Sequence, residues 1–531
     1  MDGATAISAP AGTGPARSGP EESRPERSRL GGVARGSTAN LLGAVVSIAS
    51  TLGLTLAVTR GLSPGHAGVF FAVTSLFLLA SAVGQLGTST GLVYFLSRAR
   101  SLELTGAYRA LYRTATRPVM VVGVVMGLAL FVLASPVSEL VNPRHVQLSA
   151  DYLRVVAFFI PVAALENVTL AGTRGMGTMR PNVVTEQLLR PGLQLILVAV
   201  SIVLLDGRPL SLAWAFAYLP AAVASYLYWR GIVRRADHRG RSGPAAELPS
   251  APVAAPEPGF WRFTAPRALA SVAQMAMQRL DIVLVAALAG AVPAAIYTAS
   301  TRFLVVGQTG QRAISLAVQP RIGEALAVND IPLAKQLYRV STSWLMLVTW
   351  PTYLVFAFFG ERLLSLFGHD YRAGRDVLLL LALVMLFATG CGMVDMVLNM
   401  AGRTSWNLYN VVLSLGVQIG VDLWLIPGHG ILGAAIGWSA GIVLANLVPL
   451  LQIGITAGLH PFGRSTLVTM GVTVLCFGVV PAVTITVLGQ GWWALVVSLL
   501  VGGSTYAAAL WRLRRALHLV ELMHVRRRRS R

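Results

Sequence analysis

About fourteen apolar segments of roughly 20 residues recur along this chain, and each is long enough to cross a lipid bilayer as a helix. Helices satisfy their backbone hydrogen bonds internally, which the bilayer core requires. Of the 531 residues, 55% are hydrophobic and only 12% are charged, whereas a soluble domain carries about 25% charged residues. The sequence therefore predicts an all-α polytopic membrane protein with about 14 transmembrane helices.

The segments define the predicted spans. These are 38–59, 67–90, 118–140, 151–172, 182–205, 211–229, 264–289, 294–317, 341–359, 376–400, 408–427, 432–456, 467–488 and 493–511. The first apolar stretch is long enough to span and follows a long charged lead, so we expect a membrane helix there rather than a cleaved signal peptide.

The basic residues predict the orientation of the chain. With the amino terminus inside, most of them fall on the inner side, at Arg17–Arg35, Arg98–Arg117, Arg230–Arg241 and from Arg512 to Arg531. Short cytoplasmic loops carry an excess of Lys and Arg. Both termini are therefore predicted to be cytoplasmic. The net charge of +21 is thereby explained as a topology signal on anionic lipid, and nucleic acid is not an expected partner.

Composition divides the chain into six predicted parts. They are a disordered basic cytoplasmic tail (1–36), an N-lobe of spans 1–6 (37–229), a cytoplasmic linker rich in Arg, Pro and Ala (230–262), a C-lobe of spans 7–12 (263–456), spans 13 and 14 (457–511) and a second basic cytoplasmic tail (512–531). The predicted outside loops are short, too short to hold a folded catalytic domain.

Two rows of polar residues cross the first two spans of the C-lobe. The first polar row is Arg267, Ser271, Gln274, Gln278 and Asp281, and the second is Thr301, Gln308, Arg312 and Ser315. Within each row the spacing of i, i+4, i+7, i+11 and i+14, or a subset of it, places the residues on one helix face. Charged and amide groups are costly in lipid, so the rows are predicted to line a transport cavity.

An internal repeat brings equivalent positions of the N-lobe into register with these rows. A shift of 227 positions places Asn40, Ser47 and Thr51 on Arg267, Gln274 and Gln278, and Gln85 on Arg312. An even number of spans separates the repeats, so they run in the same direction. The sequence predicts two pseudo-symmetric six-helix lobes that face each other across a central cavity, followed by two additional helices.

The charged residues at apparent membrane depth suggest what the cavity binds. Arg267 and Arg312 lie near cytoplasmic ends and their side chains can reach the interface, whereas Arg279 and Arg302 lie deeper. An arginine in a cavity suits a phosphate or a carboxylate, so the cargo is predicted to be anionic. For each single residue, an ion pair between helices remains the alternative.

The full set of candidate cavity residues comprises Arg267, Gln274, Gln278, Arg279, Asp281, Arg302, Gln308 and Arg312 of the C-lobe and Asn40, Ser47, Thr51 and Gln85 of the N-lobe. Asp395, Asp422 and Glu166 are candidates for coupling to protons or sodium ions, or they pair with arginines. Cys391 and Cys476 lie in apolar segments without ligand spacing and are interpreted as core residues. No cofactor and no metal site is expected.

Several short runs resemble a known family. They are Asn40–Gly43, Arg60–Pro64, Gly68–Phe70, Gln85–Gly87, Ile296–Ala299 and Ile426–Ala435. Their order and spacing resemble bacterial polysaccharide-biosynthesis flippases of the O-antigen type, within the multidrug/oligosaccharidyl-lipid/polysaccharide exporter superfamily. The resemblance covers residues 33 to 510. It implies a V-shaped cavity between two lobes and the transfer of a lipid-linked sugar across the bacterial plasma membrane by alternating access.

By this resemblance, Arg279 and Arg302 are the nearest candidates for binding the pyrophosphate of a polyprenyl-linked oligosaccharide. The predicted partners are that lipid-linked anionic glycan, membrane lipids and polysaccharide-assembly proteins. The neutral N-lobe row argues against the peptidoglycan-precursor (lipid II) branch. A multidrug or cation antiporter of the same fold, a membrane enzyme acting on polyprenyl sugars and a non-transporting scaffold are the alternatives. An enzyme is not expected, because the first outside loop, from Arg60 to His66, carries no carboxylate.

Overall fold

The computed structural model describes residues 24–102, 104–207, 209–241 and 259–513, and within them the side chains of residues 24–41, 239–241, 313 and 316 are left out. Every regular element in these ranges is a helix, and they contain no strand. The predicted all-α class is confirmed.

Ten α-helices form the first half. They are α1 (Arg24–Gly61), α2 (Pro64–Gly84), α3 (Thr88–Ser101), α4 (Ala107–Val132), α5 (Ala134–Val141), α6 (Val146–Ala157), α7 (Ile160–Gly175), α8 (Arg190–Leu205), α9 (Leu210–Phe216) and α10 (Tyr218–Arg241). A π-helical stretch, Asn182–Leu189, leads directly into α8.

Ten more form the second half. They are α11 (Phe260–Leu288), α12 (Ala291–Arg302), α13 (Leu304–Ala327), α14 (Ile331–Ser365), α15 (Arg375–Gly390), α16 (Val394–Met400), α17 (Thr404–Ala457), α18 (Arg464–Val474), α19 (Val480–Leu488) and α20 (Trp492–Leu513). A 3₁₀ turn, Asp370–Gly374, precedes α15, and π-helical Leu475–Val479 joins α18 to α19.

The sequence predicts 14 spans. In the described ranges, 11 helices are long and apolar enough to cross a membrane, or 12 if the bent pair α6 and α7 is one span. The predicted span 294–317 is interrupted at Phe303, between α12 and α13. Gln308, Gln311 and Arg312 make α13 too polar to qualify by composition alone. The number of 14 is therefore not confirmed.

Helix α17 is a hairpin. Its 54 residues would extend about 80 Å as one straight helix, far beyond a hydrocarbon core of about 30 Å. Gly430 has φ +56° and ψ −131° and breaks the helix. A Cβ at Gly433 would stand 2.6 Å from the backbone of Leu425, so residues 431–457 fold back along residues 404–429. The two arms correspond to the predicted spans 408–427 and 432–456.

The helices pack as two groups that meet along α2. In the N-lobe α1 packs on α8, and α7 packs on α3, α4 and α10. In the C-lobe α11 packs on α17, and α14 packs on α13 and α15. Between the lobes α2 packs lengthwise on α11 and α12. The largest apolar core contains Phe71 and Phe77 of α2 together with Tyr297 of α12, so it continues across the boundary between the lobes.

The helix bounds agree with the predicted repeat. Helix α1 ends at Gly61 and α2 begins at Pro64. The shift of 227 positions carries these residues to Leu288 and Ala291, where α11 ends and α12 begins. The first two helices of each lobe therefore share their connection as well as their polar rows.

The ends and the linker differ in part from the sequence-based expectation. Helix α1 begins at Arg24, inside the segment 1–36 that we expected to be disordered, and α10 extends to Arg241, inside the expected linker 230–262. Residues 1–23, 242–258 and 514–531 lie outside the described residues, and with them most of both basic tails. Arginine has a high helix propensity, so an Arg-rich flank can extend an apolar helix.

Candidate functional site

The two lobes touch backbone to backbone along α2. A Cβ at Gly68 would lie 1.7 Å from the carbonyl oxygen of Ala291 in α12. At the other end, a Cβ at Gly87, whose φ is +67°, would lie 2.5 Å from the backbone nitrogen of Ala268 in α11. Glycine permits this proximity because it has no side chain. The lobes are in close contact at both ends of α2.

On the predicted outer face, a side chain joins the lobes as well. Arg60, in the last turn of α1, donates from Nε to the carbonyl oxygen of Leu366 at 2.7 Å and from Nη2 to that of Ser365 at 3.0 Å. These carbonyls belong to the end of α14, where a helix leaves its acceptors without intrahelical donors and carries partial negative charge. This outer contact, together with Gly68 against Ala291, closes the lobes on that side.

The first polar row runs from exposed positions to buried ones. Arg267 and Ser271 are half-buried, Gln274 and Gln278 are exposed, and Asp281 is 2% exposed. Helix α11 ends seven residues beyond Asp281 on the predicted outer side. The row is thus exposed over its middle and ends at a buried carboxylate.

Asp281 is held by two hydrogen bonds. Its Oδ2 accepts from the hydroxyl of Tyr297 in α12 at 2.5 Å, and its Oδ1 accepts from the backbone nitrogen of Ile282 at 2.8 Å. Both carboxylate oxygens are satisfied, as a buried acid requires. Asp281 therefore links α11 to α12 inside the C-lobe.

Arg279 and Arg302 are the deep cations of the C-lobe. Both are half-buried, and within the described residues the buried Nε of each has no hydrogen-bond partner. The charge of Arg279 acts on Arg302, and that of Asp281 acts on both. The guanidinium carbon of Arg302 lies 5.9 Å from the ring centroid of Phe71 in the N-lobe. Two arginines near each other, with donors to spare, form a place where an anion is stabilised.

The N-lobe holds its deep charges as a pair. Nη1 of Arg190 in α8 lies 3.2 Å from Oε2 of Glu166 in α7, and these side chains are 18% and 0% exposed. The Arg190 guanidinium carbon also lies 5.0 Å from the ring centroid of Tyr218 in α10. Glu166 is thus engaged as an ion-pair partner. This arrangement favours the paired alternative for Glu166 over an ion-coupling role.

Asp422 belongs to a buried row of polar residues on α17, separate from the first and second polar rows. Ser414, Gln418 and Asp422 follow one another at four-residue intervals in α17 and are at most 1% exposed. Gln418 Nε2 donates to the carbonyl oxygen of Met277 at 3.3 Å. In the part of the chain that the structure describes, neither carboxylate oxygen of Asp422 has a hydrogen-bond partner. A buried acid without a partner is a group whose charge a bound cation or proton would neutralise.

Glycines on the second arm of α17 make room for that row. Gly433, Gly437 and Gly441 repeat at the same interval, and a Cβ at Gly437 would lie 1.9 Å from Oδ1 of Asp422. Small residues at this spacing let membrane helices approach closely. The four-residue spacing of the polar residues and of the glycines is visible in the sequence. Only the hairpin at Gly430 shows that the polar residues and the glycines face each other. Tyr218 and Tyr297 were also missed, because lone tyrosines in apolar segments carry no pattern.

The other candidate cavity residues lie at intermediate positions. Gln308 is half-buried and Arg312 is exposed on α13. Ser47 and Thr51 are half-buried, and the Thr51 hydroxyl donates to the Ser47 carbonyl oxygen at 2.8 Å. Gln85 is half-buried and caps the end of α2.

Two candidates lie apart from these. The side chain of Asn40 lies outside the described residues. Asp395 is exposed on α16, a short helix whose Val394 and Val397 belong to the apolar cluster around Tyr338.

A cavity of about 870 Å³ opens at the predicted cytoplasmic end of the first polar row. Helix α3, the end of α7 and the start of α11 line it, and Arg267 is the member of the row that reaches it. Arg267 is held over the ring of Phe263, with its guanidinium carbon 3.6 Å from the centroid, and its Nη1 donates to the Phe263 carbonyl oxygen at 2.7 Å.

Known proteins share this architecture. Residues 266–424 match the family model MatE, and this segment contains Arg279, Arg302 and Asp422. The lipid II flippase MurJ in an inward closed conformation is 14% identical, with a TM-score of 0.67, over 91% of this chain and 99% of that chain. The fold is that of MATE- and MurJ-like transporters.

Two further structures support the same conclusion about the fold. An inward-facing multidrug resistance MATE family transporter of the MOP superfamily is 15% identical, with a TM-score of 0.60, over 80% of this chain and 98% of that chain. A MOP superfamily transporter from Pyrococcus furiosus, described as having a binding pocket of reverse polarity, is 16% identical, with a TM-score of 0.52, over 81% and 96%. No curated protein matches the sequence.

Proposed function

We propose that this protein is a flippase. It moves a polyprenyl-pyrophosphate-linked oligosaccharide, or a related glycolipid, from the inner to the outer leaflet for cell-surface polysaccharide synthesis. Transport of this kind requires no covalent chemistry, so no catalytic residue and no cofactor is assigned. The proposed location is a bacterial plasma membrane, with both termini in the cytoplasm.

The observation that carries this proposal is the pair Arg279 and Arg302. Both are half-buried at mid-depth, next to the first polar row and beneath the outer contact, and each has a buried Nε without a partner in the described residues. Arginine binds phosphate oxygens through paired, charge-assisted hydrogen bonds. A pyrophosphate between the two guanidinium groups would relieve their mutual repulsion.

The head group would enter through the cytoplasmic cavity and follow Gln274 and Gln278 towards the arginine pair, while the lipid tail stays between the lobes. Rocking of the lobes would then separate Arg60 from the end of α14 and α2 from α12, which opens the outer side. Asp422 is the candidate for coupling this motion to protons or sodium ions, because it is buried and has no hydrogen-bond partner among the described residues. Asp395 stays a candidate on the basis of sequence alone. Polysaccharide-assembly proteins are the proposed partners.

A multidrug or cation antiporter is the second candidate function. Buried Asp422 favours it, because a carboxylate without a partner attracts cations. The arginine pair opposes it, since two deep positive charges repel a cationic drug. A lipid II-type flippase is the third candidate. It shares the pyrophosphate requirement, and only the neutral residues Ser47 and Thr51 in the N-lobe row argue against it.

Depletion of the protein from cells tests the proposal. Mass spectrometry of polyprenyl-linked sugars is expected to show one intact lipid-linked oligosaccharide accumulating, and a surface stain should show loss of its polymer. Wild-type protein should restore both, whereas Arg279→Gln should not. The matched control is Arg321→Gln, which changes an exposed arginine of α13 and should restore both.

The other outcomes separate the alternatives. A normal lipid profile with new sensitivity to cationic drugs would reject the flippase in favour of the antiporter. Accumulation of the peptidoglycan precursor would reject the polysaccharide cargo and retain the mechanism. Full rescue by Arg279→Gln would show that the arginine pair does not bind the cargo.

A further inference from the structure

The cytoplasmic cavity carries basic and hydroxyl groups of its own, far from Arg279 and Arg302. Helix α3 is amphipathic: Leu92, Phe95, Leu96 and Ala99 are buried, and the opposite face lines the cavity. That face contributes Ser89, Thr90, Tyr94, Ser97, Arg98 and Ser101. The spacing from Ser89 to Ser101 corresponds to about 18 Å of helix, so the cavity is long enough for an extended polar head group.

Three arginines reach this cavity from two lobes. Arg98 and Arg174 belong to the N-lobe, and Arg267 belongs to the C-lobe. None of the described residues that line the cavity is acidic. The carboxylate that acts on Arg174 is that of Glu186 in the π-helical stretch. Arg174 and Arg267 therefore give the lining positive charge, and the hydroxyl groups of Ser89 and Thr90 suit phosphate oxygens.

Neighbouring residues hold two of these arginines in place and use only some of their N–H donors. Nη1 of Arg174 donates to Oδ1 of Asn182 at 2.9 Å. Arg267 uses Nη1 on the Phe263 carbonyl oxygen and rests on the Phe263 ring. Each guanidinium has five N–H donors, so donors remain for a ligand. Fixed side chains lose little entropy when a ligand binds.

An aromatic pair joins the lobes beside these arginines. Tyr94 of α3 stacks on Phe263 of α11, with centroids 4.6 Å apart and an interplanar angle of 23°. Both rings line the cavity, and Tyr94 is 47% exposed. The cavity thus lies on the boundary between the lobes, and a ligand in it contacts both.

We infer that this cavity is a docking site for a phosphate-class anion, in which Arg174 and Arg267 bind pyrophosphate oxygens from opposite lobes. It is a binding site separate from Arg279 and Arg302, because Arg267 and Arg279 are about 18 Å apart along α11. Its assignment to the head group of the cargo rests on the proposed function. In that role, the pyrophosphate docks here first and then moves to the deep pair.

Calorimetry on the full-length protein in nanodiscs tests the site, with inorganic pyrophosphate as the soluble probe. Arg174→Gln and Arg267→Gln should each weaken binding about tenfold, the loss expected for a charge-assisted hydrogen bond. The matched control is Arg113→Gln, an exposed arginine at the cytoplasmic end of α4 that does not line the cavity. It should change binding less than twofold.

A second variant keeps the test valid if an arginine variant misfolds. Thr90 is exposed on α3, so Thr90→Glu should fold and abolish binding by repulsion, whereas Thr90→Val should weaken binding only a few-fold. Unchanged binding in Arg174→Gln, Arg267→Gln and Thr90→Glu would overturn the inference. A loss of affinity in Arg113→Gln as large as that in Arg267→Gln would also overturn the inference, because binding would then depend on surface charge alone.

A second probe, polyprenyl pyrophosphate in phosphatidylcholine nanodiscs, identifies the source of the anion. Tighter binding of the lipid than of free pyrophosphate supports a lipid head group, and equal binding supports a soluble anion at the same site. A flipping assay in vesicles separates this inference from the proposed function. Pyrophosphate binding as expected without lipid transfer retains the site and rejects the cargo. Lipid transfer that Arg174→Gln and Arg267→Gln leave intact rejects the docking role and retains the flippase.

Discussion

The two lobes treat their deep charges differently. In the N-lobe, Glu166 and Arg190 form an ion pair at 3.2 Å, and Arg190 also lies over the Tyr218 ring. In the C-lobe, Arg279 and Arg302 each keep a buried Nε without a partner in the described residues, and Asp422 keeps two such oxygens. Glu166 keeps one buried oxygen of this kind, Oε1. The difference is that the deep arginine of the N-lobe forms an ion pair, whereas the deep arginines of the C-lobe form none within the described residues.

This difference indicates which of the deep charges are available to bind cargo. A buried ion pair fixes helices relative to each other and leaves little for a ligand, and breaking it by removing one partner is strongly destabilising. Unpaired buried charges cost stability and persist where a ligand or an ion completes them. We therefore expect variants of the deep N-lobe charges Glu166 and Arg190 to affect mainly stability, and variants of the deep C-lobe charges to affect mainly transport.

The largest effect should come from breaking the N-lobe pair. Glu166→Ala leaves Arg190 buried without its counter-charge and should destabilise the protein by about 3 kcal/mol. Asp422→Asn is an isosteric change at a carboxylate without a hydrogen-bond partner in the described part of the chain, and it should cost less than about 1 kcal/mol. Thermal unfolding of both variants in detergent measures this difference, and equal losses would contradict the comparison.

The second effect concerns transport. Arg302→Gln should reduce lipid transfer in vesicles by at least about tenfold, because one charge-assisted bond to the anion is lost. Its melting temperature should stay near that of the wild type, because the change removes the repulsion between Arg279 and Arg302. Arg190→Gln should behave in the opposite way, with lower stability and, in the molecules that fold, near-normal transfer. Normal lipid transfer by Arg302→Gln would contradict the proposed role of the C-lobe arginines in binding the cargo.

The third effect separates binding from the motion of the lobes. Gly68→Ala places a methyl group where the Ala291 carbonyl oxygen now stands, so α2 and α12 must separate at a cost of about 1–3 kcal/mol. The closed outer side should become less populated, while anion binding at the arginine pair should change little. Spin-label distances between the outer ends of α2 and α12 measure this shift. Gly84→Ala is the control, because a Cβ at Gly84 would lie 3.7 Å from the Cα of Gly123, at ordinary contact distance.

Much of this arrangement could be predicted from the sequence. Helical spacing alone placed Gln274, Gln278 and Asp281 on one face of α11, and the 227-residue repeat located both helix connections. Local periodicity determines such features, because it sets which residues share a helix face.

The rest depends on contacts between helices that are distant in sequence. Asp281 is satisfied by Tyr297 on the next helix, and Glu166 by Arg190 on another, which no spacing within one helix can show. The hairpin at Gly430 depends on a non-helical backbone conformation of that residue, which is stabilised where the two arms of α17 pack together. Consequently the sequence identified most of the buried charges, but it could not say which were paired.

The smallest effect tests whether the outer contact depends on a side chain or on the backbone. Arg60→Gln removes two hydrogen bonds to the end of α14 and, because Arg60 is exposed, should shift the closed outer side by only about 1 kcal/mol. The same spin-label distances should change in the direction seen for Gly68→Ala, but less. The double variant should shift the population by the sum of the two effects, because Gly68 and Arg60 contact different helices of the C-lobe. If Arg60→Gln alone opens the outer side fully, the arginine rather than the contact between α2 and α12 closes the lobes. The two lobes would then be held closed on the outer side by the hydrogen bonds of Arg60 to the end of α14.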